Sequence, residues 1–331
     1  MKKILIIRAG ALGDMIVTLP VLSALKKQYD GLSIDMMGYS NRLEILKYCG
    51  YVKNIFSIDS RSTVPLFMNT TKIDFSSLQY LQLYDSIISY IPDSTGIFEK
   101  NIGKISSCSI HIGQSKPNFI DNKNRTHITH VLMKGLSPFG IAPVAEPPKL
   151  NVSCLPNPDR TEILDSDKKL IAIHPGSGGI KKCWPAKSYI KLIEALVEKH
   201  YIPVVIFGPA DENVKGQILP CIKNKKIQIV ENTSLVSLHK ILTRCGGMVG
   251  NDSGISHLAA ALGVPVVALF GPTDPAIWGP RGETVRIIWG DEIITEDIGK
   301  TKNTKKFNTK KITDVALESI LNTMISTKII C

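Results

Sequence analysis

The chain has 331 residues, 44% of them hydrophobic and 21% charged, which excludes disorder as the default state and sizes it for two domains of roughly 100–200 residues. Its 40 Lys and Arg against 29 Asp and Glu leave a net charge of +11, pointing to an anionic partner: phosphate, a membrane surface or nucleic acid. The 7 cysteines, an odd number without CxxC spacing, argue against a disulfide framework or zinc site and fit a reducing cytosol.

The first strand is expected at residues 4–7, a continuous Ile-Leu-Ile-Ile run suited to burial on both faces. Met1-Lys2-Lys3 ahead of it imitates a signal peptide, but Arg8 and Asp14 interrupt the apolar run too early. No stretch reaches ~18 apolar residues, so the expectation is a soluble, cytoplasmic protein. A turn carrying Gly10 and Gly13 leads into a helix predicted over 14–27 and bent by Pro20. Further strands are predicted at 34–37, 54–58, 85–90 and 107–112. Residues 143–168, rich in Pro, Asn and Asp, read as an interdomain linker. Beyond it, strands at 170–174, 203–208, 247–250 and 264–270 alternate with helices at 185–199, 235–244 and 255–262, and a last helix is expected at 313–326. Such alternation predicts an α/β protein: mostly parallel sheets, helices on both faces, and ligands at the strand C-termini.

Three strand-to-helix junctions carry candidate chemistry. Arg8-Ala9-Gly10-Ala11-Leu12-Gly13-Asp14 is neither a dinucleotide fingerprint, since Arg8 stands where the first glycine would be, nor a P-loop. It leaves Asp14 at a helix start. Asp14 either caps the helix or serves as a proton acceptor whose ionised form the helix dipole favours. His174-Pro175-Gly176-Ser177-Gly178-Gly179-Ile180-Lys181-Lys182-Cys183-Trp184-Pro185 offers backbone N–H groups from a glycine-rich turn, with Lys181 and Lys182 as point charges. Phosphate binding accounts for it better than a plain turn. Asn251-Asp252-Ser253-Gly254-Ile255-Ser256-His257 places Asp252 and Ser253 at N-cap positions and His257 one turn on. Ser253, His257 and Asp252 lie too close in sequence for a hydrolytic triad.

Other motifs say less. Phe270-Gly271-Pro272-Thr273-Asp274-Pro275 reads as a rigid turn, with Trp278 either packed or stacked on a base or sugar. Phe207-Gly208-Pro209-Ala210-Asp211-Glu212 puts two acids where sugar hydroxyls could be accepted. Asp165-Ser166-Asp167 matches a DxD metal–phosphate pattern but precedes a strand and reads as solvated charge. No histidine–carboxylate cluster has metal spacing, so no metal is expected. Six lysines in 300–311, with no acid among them, read as solvated charge or as a membrane-surface patch.

Together, Ile-Ile-Arg-x-Gly-x-Leu-Gly-Asp with Thr18-Leu19-Pro20, His-Pro-Gly-Ser-Gly…Lys-x-Trp-Pro, Asn-Asp-Ser-Gly-x-Ser-His-Leu-Ala-Ala-Ala-Leu-Gly and Leu-Phe-Gly-Pro-Thr-Asp-Pro resemble the glycosyltransferase family 9 heptosyltransferases. The match is strong over about residues 3–30 and 170–285. The resemblance implies a GT-B fold of two facing Rossmann-like domains and an interdomain cleft. Residues 1–155 would be the acceptor-binding domain and 156–331 the nucleotide-sugar domain, the last helix packing on either. It implies inverting, metal-independent transfer of heptose from ADP-heptose to the inner core of lipopolysaccharide, with no cofactor. Asp14 matches the general base and Lys182 the lysine that neutralises the donor diphosphate. Ser177, Gly178, Asp252, Ser253, Gly254 and His257 match the donor site, Lys181 lies beside it, and Thr233, Asp211 and Glu212 match donor contacts. Arg8, Gly10 and Arg61 fall on the acceptor side. Where family members often carry an extra hydroxyl, this chain has Gly178-Gly179.

An anionic, membrane-anchored acceptor would give the basic surface a purpose, with peripheral contact at the cytoplasmic face of the inner membrane. The competing readings are a GT-B enzyme with another donor or a non-core acceptor, a sugar-nucleotide epimerase, and a non-catalytic sugar-nucleotide binder. Aromatic content of 6% without basic–aromatic interleaving argues against nucleic acid.

Overall fold

The computed structural model describes residues 1–69, 76–151, 170–222, 226–294 and 310–331. The chain divides into two units, Met1–Glu146 with Leu150–Leu155, and Pro147–Lys149 with Pro156–Cys331.

In the first unit the order is β1 (Lys3–Ile7), α1 (Leu12–Ile16), α2 (Leu19–Gln28), β2 (Ser33–Gly38), α3 (Ser40–Tyr48), β3 (Ile55–Ser57), β4 (Ser86–Ser89), α4 (Ile97–Gly103), β5 (Ser109–Ile112), α5 (Phe119–Lys123) and α6 (Ile128–Met133). The sheet runs β3-β2-β1-β4-β5 and is parallel throughout. Ile4, Leu5, Ile6 and Ile7 are all fully buried, the burial on both faces that their unbroken apolar run requires.

The helix expected over 14–27 is instead two helices. Residue 18 is the N-cap of α2, and Pro20 lies in its first turn, where no intrahelical N–H is needed. Proline starts a helix here instead of bending one. Between the two, Thr18 Oγ1 donates to the Asp14 carbonyl at 2.7 Å.

Asp35, on β2 and wholly buried, ties the strands together. It accepts hydrogen bonds from Asn54 N at 2.9 Å, Asn54 Nδ2 at 3.1 Å and the Tyr84 hydroxyl at 2.8 Å. Lys3 Nζ lies 3.2 Å away. Burial, reinforced by the bond to Asp35, raises the Tyr84 pKa far above its ordinary value.

The second unit runs β6 (Leu170–His174), α7 (Ala186–Glu198), β7 (Ile202–Phe207), α8 (Glu212–Ile222), β8 (Gln228–Glu231), α9 (Leu235–Arg244), β9 (Gly247–Asn251), α10 (Gly254–Ala261), β10 (Val266–Phe270), α11 (Pro275–Trp278), β11 (Val285–Trp289), β12 (Glu292–Ile294) and α12 (Leu317–Ser326). Its sheet order is β12-β11-β10-β9-β6-β7-β8. Only β12 is antiparallel to its neighbour. The last helix, which the sequence left free to pack on either domain, is part of this unit's core: Ile320 and Met324 are buried with Trp184, Leu269 and Ile288. The Trp184 indole donates to the Val315 carbonyl at 3.0 Å.

Both sheets place the first strand beside the fourth, and the connections leave in opposite directions from that pair. In open α/β sheets the crevice that results, outside the strand C-termini, is where ligands bind. In the first unit it lies between β1 and β4, in the second between β6 and β9.

Candidate functional site

In the first unit the β1–α1 turn builds a fixed carboxylate. Asp14 sits at the third position of α1 and reaches back, Oδ2 accepting from Ala11 N at 2.8 Å. Its Oδ1 meets Arg8 Nη2 at 2.8 Å, and the two side chains are 33% and 2% exposed. Arg8 also donates to the Ser115 carbonyl at 3.2 Å, and its guanidinium lies 5.9 Å from the Tyr90 ring centre. Burial lowers the Arg8 pKa, while the charge of Asp14 opposes that shift.

Gly10 is the space this arrangement needs. A Cβ there would sit 2.5 Å from Asp14 Oδ2. Its carbonyl accepts from Arg42, whose guanidinium lies 4.5 Å from the Tyr39 ring centre. Arg61, exposed in the turn after β3, lies on a separate loop.

In the second unit the loops after β6 and β9 are joined by one side chain. Asn251, fully buried, accepts from Trp184 N at 3.0 Å and the Tyr189 hydroxyl at 2.9 Å. Its amide donates to the carbonyls of Pro175 at 2.8 Å and Gly176 at 3.2 Å. Two acceptor sites and two donors are all filled.

The predicted donor residues gather on this frame. Ser177 Oγ donates to the Asp252 carbonyl at 2.7 Å. Lys182 Nζ and Asp252 Oδ2 form an ion pair at 2.7 Å, the side chains 38% and 9% exposed. Ser253, and not Asp252, is the N-cap of α10, accepting from Ser256 N; Asp252 stands one residue ahead. Gly254 opens the helix and His257 is buried one turn along it. Gly178 and Gly179 have open space where a side chain would project, and Lys181 is exposed beside them.

The acidic pair after β7 divides. Asp211, 4% exposed, accepts from Gly208 N at 2.7 Å and lies 3.2 Å from His174 Nε2, whose Nδ1 is 3.1 Å from Ser253 Oγ. Burial pushes the Asp211 pKa up, but the His174 contact and the Gly208 N–H outweigh it and hold the carboxyl below its ordinary value. Glu212 is on the first turn of α8, 67% exposed and 3.3 Å from Lys215 Nζ, which also pairs with Glu231 at 2.9 Å. Thr233 is half-buried just after β8.

Asp165-Ser166-Asp167 and the lysines at 300, 302, 305 and 306 lie outside the described residues. Of the lysine run, Lys310 is not free surface charge: it pairs with Asp291 and Glu292, each at 2.7 Å. Among the described residues no three His, Cys, Asp or Glu side chains group as metal ligands, and no helix is long and apolar enough to cross a membrane.

Sequence reasoning missed Asn251, Tyr189 and Arg42. Asn251 alone left a signal, as a polar residue closing a buried strand directly before a helix N-cap. The other two act through contacts between separate elements.

Residues 130–308 match the family model of glycosyltransferase family 9 (heptosyltransferase). Lipopolysaccharide heptosyltransferase 3 of Escherichia coli K12 is 25% identical over 292 residues, 84% of this chain and 85% of that protein. Lipopolysaccharide heptosyltransferase 1 of Pseudomonas aeruginosa is 23% identical over 299 residues, 85% and 82% of the two chains. Among solved structures, E. coli heptosyltransferase WaaC with ADP superposes with a TM-score of 0.72 at 15% identity, covering 98% of this chain and 99% of that one. A family 9 glycosyl transferase from Veillonella parvula gives 0.73 at 18% identity, covering 98% and 97%. These likenesses show the GT-B class of α/β fold. With the family model spanning more than half of its length, the chain belongs to glycosyltransferase family 9 and is a glycosyltransferase.

Proposed function

We propose that this enzyme is an inverting, metal-independent heptosyltransferase, taking heptose from ADP-heptose and adding it to the inner core of lipopolysaccharide at the cytoplasmic face of the inner membrane. The observation that carries the reading is the pairing of chemistry at the two switch points. One holds a carboxylate with a third of its surface open, fixed by Arg8 and the Ala11 amide. The other holds a lysine beside a helix N-terminus.

Inversion is one displacement at the anomeric carbon. The acceptor hydroxyl oxygen forms the new bond, and Asp14 takes the hydroxyl proton. The old C–O bond gives its electron pair to the departing ADP. Lys182, the N–H groups at the start of α10 and the Gly178-Gly179 turn stabilise that growing negative charge, which a metal would otherwise do. Ser177, Lys181, Asp211, Glu212, Thr233 and His257 hold the donor; Arg8, Gly10 and Arg61 lie on the acceptor side. The names of the relatives, lipopolysaccharide heptosyltransferases 1 and 3, support the choice of sugar and acceptor.

The test is ADP release from ADP-heptose with defined core acceptors shortened one sugar at a time, with and without EDTA. Release that needs one acceptor and survives EDTA is expected. Turnover of a UDP-sugar but not ADP-heptose would replace the donor, and loss in EDTA would end the metal-free mechanism.

A further inference from the structure

The loop after β5 carries a feature that transfer chemistry does not use. Phe119 and Ile120, the first two residues of α5, are 81% and 64% exposed. They are presented from a fixed turn. Asp121 N donates to Asn118 Oδ1 at 2.9 Å, and Asn118 N returns a bond to Asp121 Oδ2 at 3.2 Å. Asp121 itself is 1% exposed. Its carboxylate is matched by Lys134 and by Gln114 Nε2 at 2.6 Å, so the acid of this turn faces inward.

The exposed charge in the flanking sequence, residues 113–126, is basic. Lys116 and Lys123 are exposed, and Arg125 is half-buried just beyond the helix. Two adjacent bulky apolar groups in water, on a hydrogen-bonded turn with cations close by in sequence, match the requirements of an interfacial anchor. The apolar side chains enter the headgroup–acyl boundary while the cations stay with anionic headgroups. The tip is also tied to the proposed base, because Arg8 bridges Asp14 to the Ser115 carbonyl four residues before Phe119.

We propose that the Phe119–Ile120 tip, with Lys116, Lys123 and Arg125 flanking it in sequence, seats in the headgroup layer of an anionic lipid bilayer. Its purpose, bringing the Asp14 loop to a membrane-anchored acceptor, rests on the proposed function. The binding itself does not.

The experiment is co-sedimentation of the full chain with phosphatidylcholine vesicles, with or without phosphatidylglycerol. The wild-type chain should bind the anionic vesicles and lose affinity as salt rises. Phe119→Ser/Ile120→Ser, at unchanged charge, should weaken binding at least about tenfold. The same variant should turn over a soluble, delipidated acceptor at the wild-type rate. A Phe119→Trp variant should be quenched by brominated lipid. Vesicle binding that survives the double substitution, or a wild-type self-association that the substitution dissolves, would overturn the proposal. If neither protein transfers heptose yet only the wild type binds vesicles, the functional reading falls and the membrane tip stands.

Discussion

Arg8 Nη2 and Asp14 Oδ1 stand 2.8 Å apart, the arginine 2% exposed and the carboxylate 33%. A buried cation thus holds an acid that still reaches solvent. The contact fixes which oxygen edge an incoming hydroxyl would meet, and orientation of this kind is worth as much to a base as its proton affinity.

Asp14→Asn keeps an oxygen for Arg8 but removes the proton acceptor. Transfer should fall about 10²–10⁴-fold with ADP affinity unchanged. Equal loss of both, measured by steady-state kinetics and calorimetric titration, would take Asp14 out of the base role. Gly10→Ala gives the independent version, since the new Cβ would sit 2.5 Å from Asp14 Oδ2. Displacing the carboxylate should lower kcat at least about tenfold and leave the donor Kd alone.

Lys182→Ala should weaken ADP-heptose binding and slow turnover, together about 10²-fold, because a cation beside the diphosphate acts on both ground and transition states. The change also strips Asp252 of its ion-pair partner. Adding Asp252→Asn should restore part of the donor affinity lost to a bare carboxylate beside phosphate. A double-mutant cycle with no coupling would mean the pair does not act as a unit.

Asp211 predicts a pH signature. Its carboxyl is held below its ordinary value in the folded chain, so its contribution to stability is complete above the unfolded carboxylate value of about 4. That contribution fades as pH falls through the lower folded value. Asp211→Asn should melt earlier than wild type at neutral pH, and the two melting curves should converge below about pH 4. A constant gap down to strongly acidic pH would contradict the assignment.

Asp35 predicts a structural loss without a chemical one. Asp35→Ala leaves Lys3 and the Tyr84 hydroxyl without the carboxylate they share. Stranding the buried Tyr84 hydroxyl costs about 1–3 kcal/mol, the part-exposed Lys3 being free to turn to water. Denaturant unfolding should show that loss, while ADP affinity, which the proposed function assigns to the other unit, stays put.

Much of this was legible in the sequence. The Ile-Leu-Ile-Ile run announced β1, and the glycine-rich stretch after residue 174 announced the turn between β6 and α7. Asn-Asp-Ser-Gly announced the start of α10, missing only which residue caps it. The helix around Pro20 was misread because proline bends a helix in its interior and begins one at its edge, and the sequence alone does not say where the edge lies. β8, α8 and β11 escaped because their periodicity is short or broken, as at Pro220 inside α8. The division between Asp211 and Glu212 was beyond reach. One is buried because Gly176 clears the space that Asp211 fills, a relation between loops 35 positions apart.

The saturated amide of Asn251 has a thermodynamic consequence. A phosphate-gripping loop that had to gather itself around each arriving nucleotide would lose conformational freedom at every encounter. Here the gathering was completed when the chain folded, and the crossing of Trp184, Tyr189, Pro175 and Gly176 at a single side chain leaves little disorder to surrender. On the proposed function, nucleotide capture by this half of the enzyme should therefore resemble a key entering a cut lock, swift and with little entropic penalty.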